Sequence, residues 1–269
     1  MQEKNEPKGG LAVDKRSLPI GVFDSGLGGI SVLRACTALL PQEDFLFFGD
    51  SANAPYGEKS LDQVRQLTLD HVASLLHQGV KAVVVACNTA TSAAIVPLRQ
   101  TYPHCPIIGI EPALKPAAQA DNSSSVLVMA TPLTIREDKY QKLAAAFCHE
   151  ANVISLPCKG LAEMVEQGIW DGPALDSYLQ DLLLPFRYCN VEYIVLGCTH
   201  YPFVRKAIAR NFGRPVEIID GSEGTARQLK RQLEAAGLLN PRQTPGQVVF
   251  QNSLPEKLPM SQTLYTIDY

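Results

Sequence analysis

Two short segments most constrain how this chain can fold: Val83-Val84-Val85-Ala86-Cys87-Asn88-Thr89 and Tyr193-Ile194-Val195-Leu196-Gly197-Cys198-Thr199-His200. Each is an apolar, β-branched run that ends in a cysteine followed by small polar residues. Runs apolar on both faces suit parallel strands covered by helices on either side. A strand that stops at Cys-Asn-Thr or Cys-Thr-His sets a thiol at the carboxyl edge of its sheet. That edge is where open α/β sheets bind ligands. The same arrangement twice suggests two thiols facing one substrate from opposite sides.

The rest of the chain repeats this plan. From Pro19 onward, strand-like runs alternate with helix-like segments, the pattern of a parallel α/β sheet. Candidate strands are Ile20–Phe23, Phe45–Phe48, Ala82–Ala86, Ile107–Ile110, Val126–Met129, Asn152–Leu156, Tyr193–Leu196 and Val216–Ile219, with a further strand-like run at Val248–Gln251. Ser60 and Gln63 form a capping-box pattern, Gly79 marks that helix's end, and Ser222 reads as the cap of a helix running toward Gly237. Pro112 and Pro116 argue against a continuous element from Ile110 to Pro116, a natural crossover between halves. Val191–Asp220 then repeats the strand–turn–helix–strand plan of Lys81–Ile110. The expected architecture is α/β: two similar doubly wound parallel-sheet domains. A polar extension (1–18) precedes a first domain of 19–111 plus 222–269, and 112–221 form the second.

Composition excludes several classes. A net charge of −3 leaves no electrostatic footprint for nucleic acid or an anionic membrane. No run approaches the ~18 apolar residues of a membrane span. Met1–Ser17 lacks the apolar core of a secretory signal and reads as a disordered tail. The seven cysteines are odd in number and show no C-x-x-C spacing, against a zinc ribbon or a disulfide framework. Reduced thiols in the cytoplasm are expected.

Cys36, Cys105, Cys148, Cys158 and Cys189 read as packing residues, the usual fate of a lone cysteine. Cys87 and Cys198 differ because each stands at a strand-to-helix turn, where backbone N–H groups are expected to lower a thiol's pKa. Asn88, Thr89, Thr199 and His200 add donors beside them. Asp24-Ser25-Gly26-Leu27-Gly28-Gly29 follows the first strand, its glycines letting backbone amides approach an anion. A dinucleotide fingerprint fails there because Ser31 stands at its third glycine. Asp24, an acid beside a thiol site and accompanied by Ser25 and the glycines, reads as a proton-handling group ahead of a plain N-cap. Asp50 and the loop through Asn53, Pro55, Tyr56 and Gly57 emerge on the same edge. His200 suits acid–base work near neutrality. Its reading as a metal ligand with Cys198 is weaker, since no tetrahedral set is recognisable. His71, His77, His104 and His149 are expected to be solvated.

These pieces match a family pattern. Phe23-Asp24-Ser25-Gly26-Leu27-Gly28-Gly29, Pro55-Tyr56-Gly57, Ala86-Cys87-Asn88-Thr89-Ala90 and Gly197-Cys198-Thr199-His200-Tyr201-Pro202 resemble the bacterial glutamate racemases of the aspartate/glutamate racemase superfamily. The similarity runs from about Pro19 through Gly237. It implies two α/β domains with the active site between them, and conversion of L- to D-glutamate for peptidoglycan without a cofactor or metal. It makes Cys87 and Cys198 the catalytic acid/bases, serving the D- and L-enantiomer respectively. Asp24 would assist Cys87 and His200 would assist Cys198, with Asp50 and Glu166 supporting. Ser25, Tyr56, Gly57, Asn88, Thr89, Thr199, Asp24 and His200 would hold the substrate, with Thr131 and Thr134. A homodimer and a peptidoglycan-precursor activator are further implications. Three positions depart from the pattern: Glu137 replaces a Ser after Thr131 and Thr134, Lys159 follows Cys158 in place of Pro, and Glu163 replaces another common Pro.

The chemistry suits these residues. Racemisation removes the α-proton from one face and returns a proton to the other, so two acid/bases are needed. With no electron sink, preorganised donors must stabilise the developing carbanion. Rival readings are another racemase of the superfamily, a one-cysteine decarboxylase, an amino-acid-binding protein and a dehydrogenase. Retention of both cysteines counts against the decarboxylase and the binding protein, and the failed glycine fingerprint against the dehydrogenase.

Overall fold

The computed structural model describes residues 14–120 and 125–269. The first lobe begins with β1 (Ile20–Asp24), α1 (Ile30–Leu39), β2 (Phe45–Gly49), α2 (Leu61–His77), β3 (Ala82–Val85), α3 (Asn88–Thr101) and β4 (Ile107–Gly109). The second lobe follows: α4 (Leu114–Ala120), β5 (Ser125–Ala130), α5 (Pro132–Arg136), α6 (Asp138–Ala146), β6 (Asn152–Pro157), α7 (Leu161–Glu166), α8 (Pro173–Leu183), β7 (Val191–Leu196), α9 (Arg205–Phe212) and β8 (Glu217–Asp220). The chain then returns to the first lobe as α10 (Ser222–Ala235), β9 (Val248–Asn252) and α11 (Leu258–Thr266).

All strand pairs are parallel, in the orders β4-β3-β1-β2-β9 and β6-β5-β7-β8. Each order reverses direction once, between β1 and β3 in the first sheet and between β5 and β7 in the second. Loops leaving either side of such a reversal diverge to opposite faces and open a crevice at the carboxyl ends. Register aligns Phe23 with Val85 and Asp24 with Gly49 in the first sheet. It aligns Met129 with Leu196 in the second. Both cysteines therefore leave their sheets at a reversal point.

Val83, Val85, Val64, Val72, Leu75 and Leu98 fill one face of the first sheet, under α2 and α3. Ile20, Val22, Val84 and Phe47 fill the other, under α1 and α10. Each such side chain contributes about 1.5–3 kcal/mol on burial, which fixes strand position. The predicted capping box is present: Gln63 N–H donates to Ser60 Oγ (3.3 Å) and Ser60 N–H to Gln63 Oε1 (3.1 Å). Gly79 follows that helix at φ +86°. Pro97 interrupts α3 and frees the Ala93 carbonyl, which accepts from Arg65 Nε at 3.1 Å.

No single element spans Ile110–Pro116: β4 ends at Gly109 and α4 begins at Leu114, with Pro116 in its first turn where no intrahelical donor is needed. Other local expectations are corrected. Ser222 is the first residue of α10 and not its cap; Asp220 Oδ1 accepts from Ser222 N–H at 2.8 Å instead. Of the predicted tail, residues 1–13 lie outside the described residues. Lys15–Ser17 form a 3₁₀ turn capped by Asp14, and the Arg16 carbonyl accepts from the buried Lys81 Nζ at 2.5 Å. The two segments that cross between lobes touch, for a Cβ on Gly221 would stand 2.2 Å from the Glu111 carbonyl oxygen. No helix of the described residues is long and apolar enough to cross a membrane.

Candidate active site

A cavity of about 220 Å³ lies between the carboxyl edges of the two sheets. Cys87 enters it from the first lobe and Cys198 from the second. Cys87 caps α3 and its sulfur accepts from Ala90 N–H at 3.4 Å. Cys198 is followed by a 3₁₀ turn, Tyr201–Val204, with α9 beginning only at Arg205. The two strand ends match, but the second thiol has no α-helix N-terminus beside it.

The expected lowering of the Cys87 pKa is overturned. Burial, reinforced by the Asp24 carboxylate, pushes the thiol up to about 12 against the Ser25 hydroxyl and the Ala90 N–H. Removal from water costs the thiolate more than one N–H and a helix end return. Near neutral pH Cys87 is thus a thiol.

Around Cys198 the charges are paired. His200 Nδ1 stands 3.7 Å from the Cys198 sulfur, and Nε2 stands 2.7 Å from Glu166 Oε1. Burial pulls His200 down, but its bonds to Cys198 and Glu166 win and hold it well above 6.5. Burial pushes Glu166 up, but His200 and the Leu27 N–H outweigh it, so the carboxyl sits below its ordinary value. The pair reads as imidazolium and carboxylate.

The glycine loop after β1 brings backbone amides to an anion supplied by the protein itself. The anion its amides approach is Glu166: Leu27 N–H donates to Glu166 Oε1 at 2.5 Å. A Cβ on Gly26 would stand 2.1 Å from that oxygen, and one on Gly28 would stand 2.4 Å from His200 Nδ1. Glycine lets the second lobe's acid–base pair seat against the first lobe's backbone.

Ser25, Tyr56, Gly57, Asn88, Thr89, Thr131, Glu166, Thr199 and His200 all line the cavity. Asp24, Asp50 and Thr134 do not; they lie behind its wall. Asp24 is fully buried, accepting from Thr199 Oγ1 (3.1 Å) and Gly26 N–H (3.0 Å), and its burial raises its pKa. Thr134 Oγ1 bonds Thr89 Oγ1 (3.0 Å) and Thr131 Oγ1 (2.9 Å), a hydroxyl cluster that ties α3 to the second lobe. Asp50 accepts from Tyr56 Oη at 2.7 Å and from Asn53 Nδ2. Burial opposes its ionisation, but His71, Tyr56 and Asn53 hold it at about 2. His71 was expected to be solvated. Its ring packs on Phe23 and Phe48, with Nε2 2.9 Å from Asp50 Oδ2.

Asn88 is 4% exposed and neither side-chain Oδ1 nor Nδ2 has a partner. Buried amides without partners are rare and costly, so a donor and an acceptor wait here for a ligand. Sequence reasoning missed Ser51, Gln167 and Lys257 as lining residues. Ser51 adjoins Asp50 and was within reach of inspection; Lys257, from the poorly readable C-terminal segment, carried no signal. Among the described residues, no group of three His, Cys, Asp or Glu side chains could hold a metal ion.

Two parallel α/β lobes, each bringing a cysteine at its sheet's reversal point to one shared cavity, have the plan of an amino-acid racemase. The sequence profile of the Asp/Glu/Hydantoin racemase family matches residues 20–229, and the chain belongs to that family; it is an isomerase. A glutamate racemase of Clostridium novyi is 51% identical over 242 residues, 90% of this chain and 93% of the relative. The glutamate racemase of Francisella tularensis, solved with D-glutamate, superposes with TM-score 0.81 at 30% identity, covering 94% of this chain and 95% of that one. The Escherichia coli glutamate racemase, solved with L-glutamate and the activator UDP-MurNAc-ala, gives TM-score 0.77 at 25% identity, covering 92% and 95%.

Proposed function

We propose that this chain interconverts L- and D-glutamate by a two-cysteine proton transfer, without a cofactor, and so supplies D-glutamate for peptidoglycan. The carrying observation is that two thiols from equivalent sheet positions open into one cavity. In each direction one thiolate takes the α-proton and the opposite thiol returns one, so protons balance and nothing is oxidised. Cys87 serves the D-enantiomer and Cys198 the L-enantiomer. His200, oriented by Glu166, stands beside the Cys198 sulfur and assists its proton transfers. On the other side, the substrate's ammonium offsets the burial that disfavours a Cys87 thiolate. Asn88, Thr89 and Ser25 donate to the carboxylate as it gains charge, while Thr199, whose hydroxyl proton goes to Asp24, has its oxygen free to accept from the substrate's ammonium. Asp24 and Asp50 act one layer back, holding Thr199 and Tyr56.

The names of the relatives support glutamate as substrate, and a precursor activator and a homodimer belong to the same reading. So do a cytoplasmic site of action and two units, 19–111 with 222–269 and 112–221, that close on the substrate. The test is incubation with L-glutamate in D₂O without added cofactor, following optical activity and deuterium at Cα, with aspartate in parallel. Loss of rotation together with deuterium uptake is expected from glutamate. No exchange from either amino acid overturns the reading, and exchange from aspartate alone changes the substrate.

A further inference from the structure

The C-terminal segment reaches the cavity. Lys257 ends the 3₁₀ turn Pro255–Lys257 between β9 and α11, and its side chain lines the wall beside Ser51 and Glu166. Nζ donates to the Glu166 backbone carbonyl at 2.6 Å. An ammonium carries three donors, so this one acceptor leaves two others for a ligand. The segment is held in place from the first lobe by Asn252 Nδ2, which donates to Ser51 Oγ at 3.0 Å.

Charge gives the position its meaning. Among the described residues lining the cavity, Lys257 is the only lysine or arginine. The other charged side chains there are Glu163, Glu166 and His200. Glu166 and His200 neutralise each other across 2.7 Å. What remains is Glu163 against Lys257, and both are partly exposed. Gln167, next to the carbonyl that holds Nζ, is exposed while also lining the cavity, so the cavity meets solvent on this side.

We propose that Lys257 is a substrate-binding residue at the cavity mouth, receiving a carboxylate of a dicarboxylic substrate, with Glu163 setting the opposing charge. The inference rests on the dicarboxylate reading given above. Removing Lys257 leaves an unbalanced carboxylate facing an anionic substrate; removing Glu163 leaves an unbalanced ammonium. The two substitutions therefore act with opposite sign, which a purely structural tie at Lys257 does not produce.

The experiment compares wild type, Lys257→Met, Lys257→Arg and Glu163→Gln in glutamate racemisation at several ionic strengths, with a thermal melt of each. A charge-assisted contact at a half-exposed rim is expected to lower kcat/KM in Lys257→Met by about five- to tenfold, mostly through KM. Salt dependence should flatten in the same variant. Lys257→Arg restores most of the loss, and Glu163→Gln lowers KM. Calorimetric titration with glutarate, a dicarboxylate without an amino group, reads the same contact without turnover. Weaker glutarate binding by Lys257→Met supports the proposal even where glutamate is not turned over. Equal affinities, no glutarate binding by wild type, or an unchanged KM accompanied by a lower melting temperature overturns it.

Discussion

Gly28→Ala tests whether the two lobes interlock through backbone. The added Cβ would stand 2.4 Å from His200 Nδ1 and 2.6 Å from Thr199 Oγ1, against about 3.4 Å for ordinary contact. His200 has no free space to turn into, being 4% exposed and held to Glu166 at 2.7 Å. It must retreat about 1 Å, taking its distance to the Cys198 sulfur with it. A misplacement of that size in acid–base machinery costs about 100-fold in rate. Overpacking costs about 1–3 kcal/mol of stability, or a few degrees in melting temperature at about 2–4 °C per kcal/mol. The variant therefore stays folded while losing most of its activity. Polarimetry from each enantiomer, with a thermal melt, measures both. The enantiomers have equal free energy, so kcat/KM must fall by the same factor in both directions. Gly224→Ala is the control, since nothing lies within 4 Å of its added Cβ. A Gly28→Ala enzyme within about threefold of wild type, against the loss expected from a 1 Å shift, would refute the interlock.

Three further outcomes are expected. Cys87→Ala and Cys198→Ala each abolish racemisation without unfolding the chain, by polarimetry and circular dichroism; wild-type turnover by either variant ends the two-base mechanism. Glu166→Gln removes the anion opposite His200. Glu166 has a depressed pKa, so its contribution is present above its unfolded value of 4.5 and fades as pH falls through the folded one. His200 has a raised pKa, so its contribution is full below 6.5 and is lost as pH rises through the folded value. Urea melts should accordingly show Glu166→Gln least stable relative to wild type between these limits, by about 1–3 kcal/mol, with the alkaline limb of the rate profile moved to lower pH. Asn88→Ala deletes two unpartnered buried atoms, so the empty enzyme melts no lower, while KM rises by about tenfold or more from a lost ligand contact. A large fall in melting temperature with KM unchanged would make Asn88 a core residue.

The central strands β1, β3 and β5 were legible because both of their faces are covered, which leaves apolar runs with almost no polar interruption. The paired cysteine turns were legible for the same reason, since each ends such a run. Their electrostatics were not. A turn's N–H groups are visible in sequence, whereas the burial that pushes Cys87 up to about 12 depends on the opposite lobe. His71 was misread because the carboxylate it meets, Asp50, is supplied by another element's end. Thr134 keeps its sequence-assigned neighbourhood but spends its hydroxyl on its local neighbour Thr131 and on Thr89, the latter a partnership that exists only after the lobes meet. Lys257 lies past β9 in a short turn, and it reaches the cavity only because β9 pairs with the distant β2.

The contact between Gly221 and the Glu111 carbonyl has a mechanical consequence. A lobe tethered by one strand can swing about any axis. Here two strands cross side by side, pressed together where a Cβ would not fit. Such a joint bends about the line through its two pins and resists torsion. On the two-cysteine mechanism proposed above, a joint of this kind would let the lobes part along one soft coordinate and return Cys87 and Cys198 to opposite faces of the same carbon. The stereochemical symmetry of that mechanism would then depend on a backbone contact between Gly221 and Glu111, outside the cavity that holds the two sulfurs.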